Sequence, residues 1–417
     1  MNIWFLNHYA GSVEFGMEFR HYYFAKELCA MGHNVSIFAG SFSHLRKYNP
    51  EVKGKYSVEI HEGIRYVWIP TCRYVGNGKD RVLSMLQYYR GAIEIAKYFD
   101  RPDIILSSSP HLQACLAGIK ISKKLNCKSI SEVRDLWPEA LIYYKGLSPI
   151  SPIVKLMEYY EHKIYRNSDA LVFTKPGDVD YLREKGWLVS NGGDVLDTKC
   201  HYLNNGVDIN TFRNQIRDCV FEPIQGDSCK KFYVTYVGTI REVNNIDMLL
   251  DAAKIINLQN VIFRIFGDGE ELGRLKERKR VENIDNVVFY GRIDKQFVPY
   301  VLSKSSVNIL NYSPHLYNWN RGNSSNKLFE YMACGKPIIS TVKMGYSPLK
   351  EYQCGIEIDD CNGEKIANEI IKLMDMSDED INTMGQNAYL AANQFDYKVL
   401  SKELMRIILK TIEGEDE

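Results

Sequence analysis

Two series of short apolar strand patterns, each alternating with longer helical patterns, limit most tightly what this chain can fold into. In the first series, strand patterns at 3–6, 35–39, 64–69, 103–107, 128–133 and 170–173 are interleaved with helical patterns at 19–31, 81–99, 111–125 and 152–166. Strands separated by helices predict a parallel sheet, because a parallel neighbour can be reached only through a crossover. Between 190 and 230 the alternation weakens, and Asn191-Gly192-Gly193, Asn204-Asn205-Gly206 and Gly226-Asp227-Ser228 are turn signals, so this stretch reads as a linker. A second series follows, with strands at 232–238, 261–267, 287–290, 307–310 and 337–340, a helix at 245–256, and a tail helix at 395–412. The expectation is an α/β protein of two Rossmann-like halves, 1–205 and 206–394, with the tail 395–417 able to pack back on the first. Ligands of such sheets bind at the carboxyl ends of the strands, and with two sheets the natural site is a cleft between them.

Composition sets bounds on function. A length of 417 residues suits two domains. Lys plus Arg equals Asp plus Glu at 52 each, so the overall charge gives no sign of nucleic-acid binding. The ten cysteines form no C-x-x-C pair and no His/Cys cluster of zinc spacing, which fits a reducing compartment and no metal. The chain starts directly with a strand pattern and has no basic leader, and no apolar run approaches the ~18 residues of a spanning helix. The expected location is the cytoplasm.

The run Asn323-Ser324-Ser325-Asn326-Lys327-Leu328-Phe329-Glu330-Tyr331-Met332-Ala333-Cys334-Gly335-Lys336-Pro337 carries the most chemistry. It reads as a short helix that Ser324 or Ser325 can cap, Gly335 can close, and Pro337 cannot continue. The free N–H groups of a helix N-terminus attract phosphate, and Lys327 adds a full positive charge there. Glu330 lies on the same face, about 5 Å further along the axis, and can accept two hydrogen bonds from a vicinal diol. Phosphate at the mouth and ribose below it is the layout a nucleotide-sugar needs. An ordinary capped amphipathic helix is the competing reading.

Other segments in the same order carry a family resemblance. His201-Tyr202-Leu203-Asn204-Asn205-Gly206-Val207-Asp208-Ile209-Asn210-Thr211-Phe212 resembles the N-G-V-D-x-x-x-F signature at the domain junction of glycosyltransferase family 4. Tyr236-Val237-Gly238-Thr239-Ile240 resembles that family's first glycine turn, Ile265-Phe266-Gly267-Asp268-Gly269 its G-D-G turn, and Phe289-Tyr290-Gly291-Arg292 the strand whose end meets the base. Arg134-Asp135-Leu136-Trp137-Pro138-Glu139 and Ser325-Asn326-Lys327-Leu328-Phe329-Glu330-Tyr331-Met332-Ala333 are similar to a bacterial branch that builds O-antigen and capsule and includes fucosamine transferases. The resemblance implies a GT-B fold, a retaining transfer from a nucleotide-diphosphate sugar, UDP being the expected nucleotide, and no required metal or other cofactor. It also implies a glycan or lipid-diphosphate-linked glycan as acceptor.

Departures from the family pattern matter. The first of the family's two glutamates would fall on Gly322, and its Arg/Lys pair after the first strand falls on Thr239 and Asn244. The usual His before Asp is Arg134. Lys327 is then the main cation, with Arg241 and Arg292 as helpers. The leaving phosphate can itself take the acceptor's proton, so the protein must mainly hold growing negative charge.

The expected donor-binding residues are Gly11, Gly238, Thr239, Arg241, Gly267, Arg292, Ser324, Ser325, Asn326, Lys327 and Glu330, and the expected catalytic residues are Asp135, Lys327 and His111. Asp135 orients the acceptor hydroxyl or receives its proton, or else caps a helix or pairs with Arg134. His111 is a sugar ligand or a neighbour of a helix N-cap. Gly238 is part of the phosphate turn or a plain strand-end turn. Gly11 admits close approach of donor sugar or phosphate, or is a simple flexible loop. Arg20 is a phosphate partner or solvated. The stretch 79–90, with Lys79, Arg81 and Arg90 among apolar residues, lies on an anionic membrane or is a core helix with a charged rim. Two other functions are compatible with the fold: a UDP-sugar 2-epimerase and a non-catalytic sugar-nucleotide sensor.

Overall fold

The computed structural model describes residues 1–109, 111–227, 230–256 and 260–414. Pro110, Ser228 of the third turn signal, and Cys229 lie outside the described residues. Among those described, fourteen strands form two sheets. The first is built from β1 (Asn2–Leu6), β2 (Asn34–Gly40), β3 (Ser57–His61), β4 (Ile64–Ile69), β5 (Ile104–Ser108), β6 (Lys128–Val133), β7 (Ala170–Phe173) and β8 (Cys200–Tyr202). Their order is β3-β4-β2-β1-β5-β6-β7-β8, parallel throughout except for the β3–β4 hairpin. The second contains β9 (Phe232–Val237), β10 (Val261–Phe266), β11 (Val287–Gly291), β12 (Val307–Leu310), β13 (Ile338–Ser340) and β14 (Gly355–Glu357). Its order is β11-β10-β9-β12-β13-β14, all parallel.

The strands form where they do because both faces are covered. In β1, Ile3 and Phe5 enter one core cluster while Trp4 and Leu6 enter another on the opposite face. Each order reverses its direction of growth once, between β1 and β5 in the first sheet and between β9 and β12 in the second. Such reversals leave a crevice outside the carboxyl ends of the two strands.

Two compact units result, Met1–Asn204 with Tyr397–Glu417, and Asn205–Asp396. The helix Tyr397–Glu413 belongs to the first unit: Tyr397, Leu404, Ile407 and Ile408 join its core, and Tyr397 stacks on Tyr23 with 4.7 Å between ring centres. Among the described residues no helix is long and apolar enough to cross a membrane.

Several expectations change. The stretch 190–230 is not a bare linker: it holds β8, the helix Ile209–Asp218 and three short 3-10 turns. Asp208 of the junction motif caps that helix, accepting from the Thr211 N–H at 3.0 Å, and Phe212 is buried beneath it. The strand β3 was not anticipated; its alternating Val58 and Ile60 face solvent and not the core.

One buried ion pair locks the first sheet's carboxyl edge. Arg20 Nε lies 2.7 Å from Glu132 Oε1, His21 Nε2 lies 3.0 Å from Glu132 Oε2, and the Ser108 hydroxyl donates to Oε2 at 2.6 Å. Arg20 also donates to the carbonyls of Leu203, at 2.8 Å, and of Asn204, at 2.5 Å. Arg20 is therefore neither solvated nor a phosphate partner. Burial opposes ionisation of Glu132, but the Arg20 and His21 charges outweigh it and hold the carboxyl well below its usual range. Replacing Glu132 by Leu strands a buried guanidinium, and calorimetry should show the chain losing about 3–5 kcal/mol. A loss under about 1 kcal/mol would show that Arg20 finds equal partners elsewhere.

Candidate active site

In the second sheet the crevice between β9 and β12 is lined by Tyr236 and Gly238-Thr239 from one strand and Asn311-Tyr312 from the other. The helix Asn326–Ala333 is fastened over it by Tyr331, whose hydroxyl accepts from Val237 N at 2.8 Å and donates to Val237 O at 3.1 Å. That clasp sets Lys327 between two aromatic faces, its amine 4.9 Å from the ring centre of Tyr236 and 4.5 Å from that of Tyr312. Gly238 leaves the necessary space, since a Cβ there would lie 3.1 Å from Lys327 Nζ. In the amide orientation that satisfies both sides, Asn244 accepts from Lys327 Nζ at 3.1 Å and donates to the Thr239 hydroxyl at 3.0 Å. The two positions that lack the family's cations thus hold the remaining one in place. Burial, and then the nearby Arg241 charge, push the Lys327 amine down to about 7, with Glu330 opposing. Lys327 is poised between charged and neutral at physiological pH.

The helix N-terminus differs from its expected form. Ser325 occupies the cap position, but its hydroxyl meets the Tyr312 hydroxyl at 2.7 Å and no side chain caps the helix. The loop is shaped instead by Asn323, whose side-chain oxygen accepts from Ser325 N at 2.8 Å, and by Asn205, which donates to Ser324 O at 2.5 Å. The N–H groups of Asn326 and Lys327 have no acceptor among the described residues, which suits an anion.

Glu330 is not a free carboxylate. Its Oε1 pairs with Lys295, so a diol would have to share or displace that partner. Gly322 sits at φ +101°, where a side chain is strained, which explains why no glutamate stands there. Gly267, at φ +144°, abuts β9: an added Cβ would fall 1.7 Å from Gly238 O, so the two glycine turns pack backbone to backbone. Arg241 is exposed but near enough to act on Lys327. Arg292 is exposed at the end of the edge strand β11, two strands from β9, and no contact joins it to Lys327.

In the first unit one chain of contacts runs past the predicted residues: Gly11 N donates to Glu18 O at 3.0 Å, Glu18 pairs with Arg134 beside Asp135, and Arg134 N donates to the hydroxyl of Ser109, two residues before His111, at 2.9 Å. Asp135, just beyond β6, pairs with Lys175 at 3.7 Å rather than with Arg134, which pairs with Glu18. Gly11 is buried, and its missing side chain admits the loop's own backbone, since a Cβ would lie 1.9 Å from Gly16 O; it is neither a flexible loop nor open to a donor. His111 is the N-cap of the helix Leu112–Leu125 but makes no capping bond with its side chain; its Nε2 lies 3.0 Å from His8 Nδ1. The helix Lys79–Ile95 buries Ser84, Tyr88, Ala92 and Ile95, and Arg81 turns inward onto the rings of Tyr9 and Tyr74. Tyr236 and Asn205 lie in segments that resemble family motifs, whereas Tyr312 and Lys295 in the second unit and His8 in the first had no role assigned from the sequence.

Residues 15–192 match the family described as Glycosyl transferase 4-like domain, and residues 222–391 match Glycosyl transferases group 1. A Bacillus subtilis protein described as the teichuronic acid biosynthesis glycosyltransferase TuaH is 23% identical over 306 residues, covering 70% of each chain. Among solved structures, sucrose-phosphate synthase from Thermosynechococcus elongatus superposes with a TM-score of 0.73 at 16% identity over 99% of each chain. Anabaena HepE in complex with UDP superposes with a TM-score of 0.66 at 14% identity, over 98% of this chain and 99% of that one. With a 4-like domain in its first unit and a group 1 domain in its second, the chain is a glycosyltransferase of the GT-B type.

Proposed function

We propose that this enzyme transfers a sugar, with retention and without a metal, from a nucleotide-diphosphate donor to a glycan or lipid-linked glycan during cell-surface polysaccharide synthesis. The observation that carries the reading is the Lys327 amine held beside an uncapped helix N-terminus at the crevice between β9 and β12. As the bond from the anomeric carbon to the diphosphate oxygen breaks, negative charge grows on that oxygen, and a cation with fixed N–H donors stabilises it. The acceptor hydroxyl attacks the same face of the sugar, and its proton passes to the departing phosphate oxygen. Asp135, half-buried just beyond β6, is the candidate for orienting that hydroxyl. UDP as the nucleotide is supported by the UDP complex of HepE, and a polysaccharide product by the description of TuaH. The finer assignments, a fucosamine-type donor and an O-antigen or capsule product, rest on the branch resemblance. A panel of nucleotide-sugars, read by nucleotide release with a membrane-lipid extract as acceptor, tests the reading; no release with any donor contradicts it.

The acceptor's lipid places the enzyme against the inner membrane leaflet. A surface of the first unit suits this: Ile150, 82% exposed, continues into Ile153, Leu156, Tyr159 and Tyr160 on the helix Pro152–Asn167, and Tyr143 and Tyr144 of the preceding helix are also exposed. Lys145 and Lys163 lie over the rings of Tyr144 and Tyr159, at 4.9 and 6.0 Å. Replacing Ile150, Ile153 and Leu156 by Ser should reduce sedimentation with anionic liposomes while leaving the melting temperature unchanged. Equal sedimentation of variant and parent would remove this surface from the account.

Lys327 and Glu330 should fail differently. Glu330→Ala removes contacts to a ribose that changes little during reaction, so it should mostly raise the donor KM, by roughly 2–4 kcal/mol in binding. Lys327→Ala should lower kcat more than it alters donor affinity. Near-normal kcat in a folded Lys327→Ala variant would move the role to Arg241.

Nucleotide binding should also depend on pH. A bound diphosphate favours the charged amine, so it raises a group that titrates at about 7 in the free enzyme. Affinity is then full below that point and weakens as pH rises above it, by up to about tenfold per pH unit. Calorimetric titration of UDP between pH 7 and 9 should show this and should show none in Lys327→Met. A flat profile for the parent enzyme would place Lys327 outside the diphosphate site.

A further inference from the structure

The first sheet has its own reversal, between β1 and β5, and the side chains gathered there are cations and neutral donors. His8, just past β1, stacks on Tyr9 and Tyr88 with 4.6 and 4.9 Å between ring centres. Its Nδ1 meets His111 Nε2, beyond β5, at 3.0 Å, so the pair bridges the reversal. On the other side His8 Nε2 lies 3.2 Å from the Ser84 hydroxyl. The imidazole presses on Gly40 at the end of β2, where a Cβ would lie 2.7 Å from Nε2, and Arg46 donates from Nη2 to the Gly40 carbonyl. The Arg46 guanidinium lies 4.8 Å from the Trp68 ring centre, Arg46 is 6% exposed, and its Nε and Nη1 have no hydrogen-bond partner among the described residues. Arg81, half-buried, lies over Tyr9 and Tyr74 at 5.6 and 5.7 Å.

The charges acting on His8 come from His111, Arg46, Arg81 and His44, all bases. Those acting on Arg46 come from the phenols Tyr74 and Tyr66, and burial pushes its guanidinium down to about 10. No carboxylate figures in either set. This contrasts with Arg20 in the same unit, which has Glu132. A buried guanidinium with two unmet donors is costly, and stacking on Trp68 returns only part of that cost. An oxyanion would satisfy both nitrogens and the charge together.

We propose that the carboxyl edge of the first sheet beside this reversal, at the ends of β1 and β2, binds an oxyanion, a carboxylate or a phosphate carried by the acceptor, with Arg46 and Arg81 as its cationic partners. Assigning the anion to the acceptor rests on the transferase reading, in which the donor's diphosphate belongs to the other unit.

The test uses the full chain with UDP saturating, so that the nucleotide site is filled. Inorganic phosphate, glucuronate and glucose are then titrated by calorimetry and thermal shift. Saturable binding of phosphate identifies a phosphate group and saturable binding of glucuronate a carboxylate; either supports the proposal. In Arg81→Gln and Arg46→Met the anion should bind roughly tenfold more weakly or worse, with UDP affinity retained. Arg81 is at the half-buried rim, so Arg81→Gln decides the matter alone if Arg46→Met does not fold. Absence of saturable anion binding, binding unchanged in Arg81→Gln, or glucose binding as well as glucuronate overturns it. Loss of UDP binding by the parent enzyme would instead overturn the transferase reading.

Discussion

Lys327 holds its charge in a place that makes the charge expensive, and the second unit's chemistry depends on that tension. Two tyrosine faces and one amide oxygen replace the water around its amine. They do so incompletely, and the amine titrates at about 7. A rigid, partly desolvated cation interacts more strongly with developing negative charge than a hydrated one, because little solvent must reorganise around it. Everything nearby serves its placement. Tyr331 clasps the helix to β9, Gly238 opens the room, and Thr239 steadies Asn244. An Arg/Lys pair at 239 and 244 would put two more cations beside Lys327. With a Thr and an Asn there, a single lysine carries the charge.

Both sheets follow one topological rule with different chemistry. Each reverses its strand order, and each reversal brings candidate functional side chains to the carboxyl ends. In the first unit the Glu132–Arg20–His21 network is structural, whereas Arg46, at the end of β2, keeps unmet donors among the described residues. Burial alone therefore does not mark a binding group, and the unmet donors of Arg46 are what set it apart from Arg20.

Legibility in the sequence followed the reach of each interaction. The strands Ile64–Ile69 and Val307–Leu310 have the bounds their apolar runs suggest, because both faces are buried. The helix Asn326–Ala333 was visible from its apolar face and its Gly-x-Pro exit. The short strands Cys200–Tyr202 and Gly355–Glu357 are only partly buried and lack an apolar run, whereas Ile338–Ser340, equally short but fully buried, was legible. Long-range pairings left no local trace: Glu132 and Arg20 are 112 residues apart, and Lys295 and Glu330 are 35 apart. Tyr236 stands at the start of the segment that resembles the first glycine turn, but nothing local shows that its ring and that of Tyr312 wall Lys327; that follows only once the fold brings β9 beside β12. Gly11 and Gly322 show the converse. Each position carries a backbone requirement that the residue name alone does not disclose.

The most direct measurement follows the Lys327 amine itself. With lysine carbon-13 labelled at Cε and Lys327→Arg used to assign the signal, its NMR titration can be recorded with and without UDP. The account predicts a midpoint near neutrality in the free enzyme and a clear move to higher pH when UDP is bound. A signal that titrates at the same pH in both states would contradict it, because the diphosphate would then lie elsewhere.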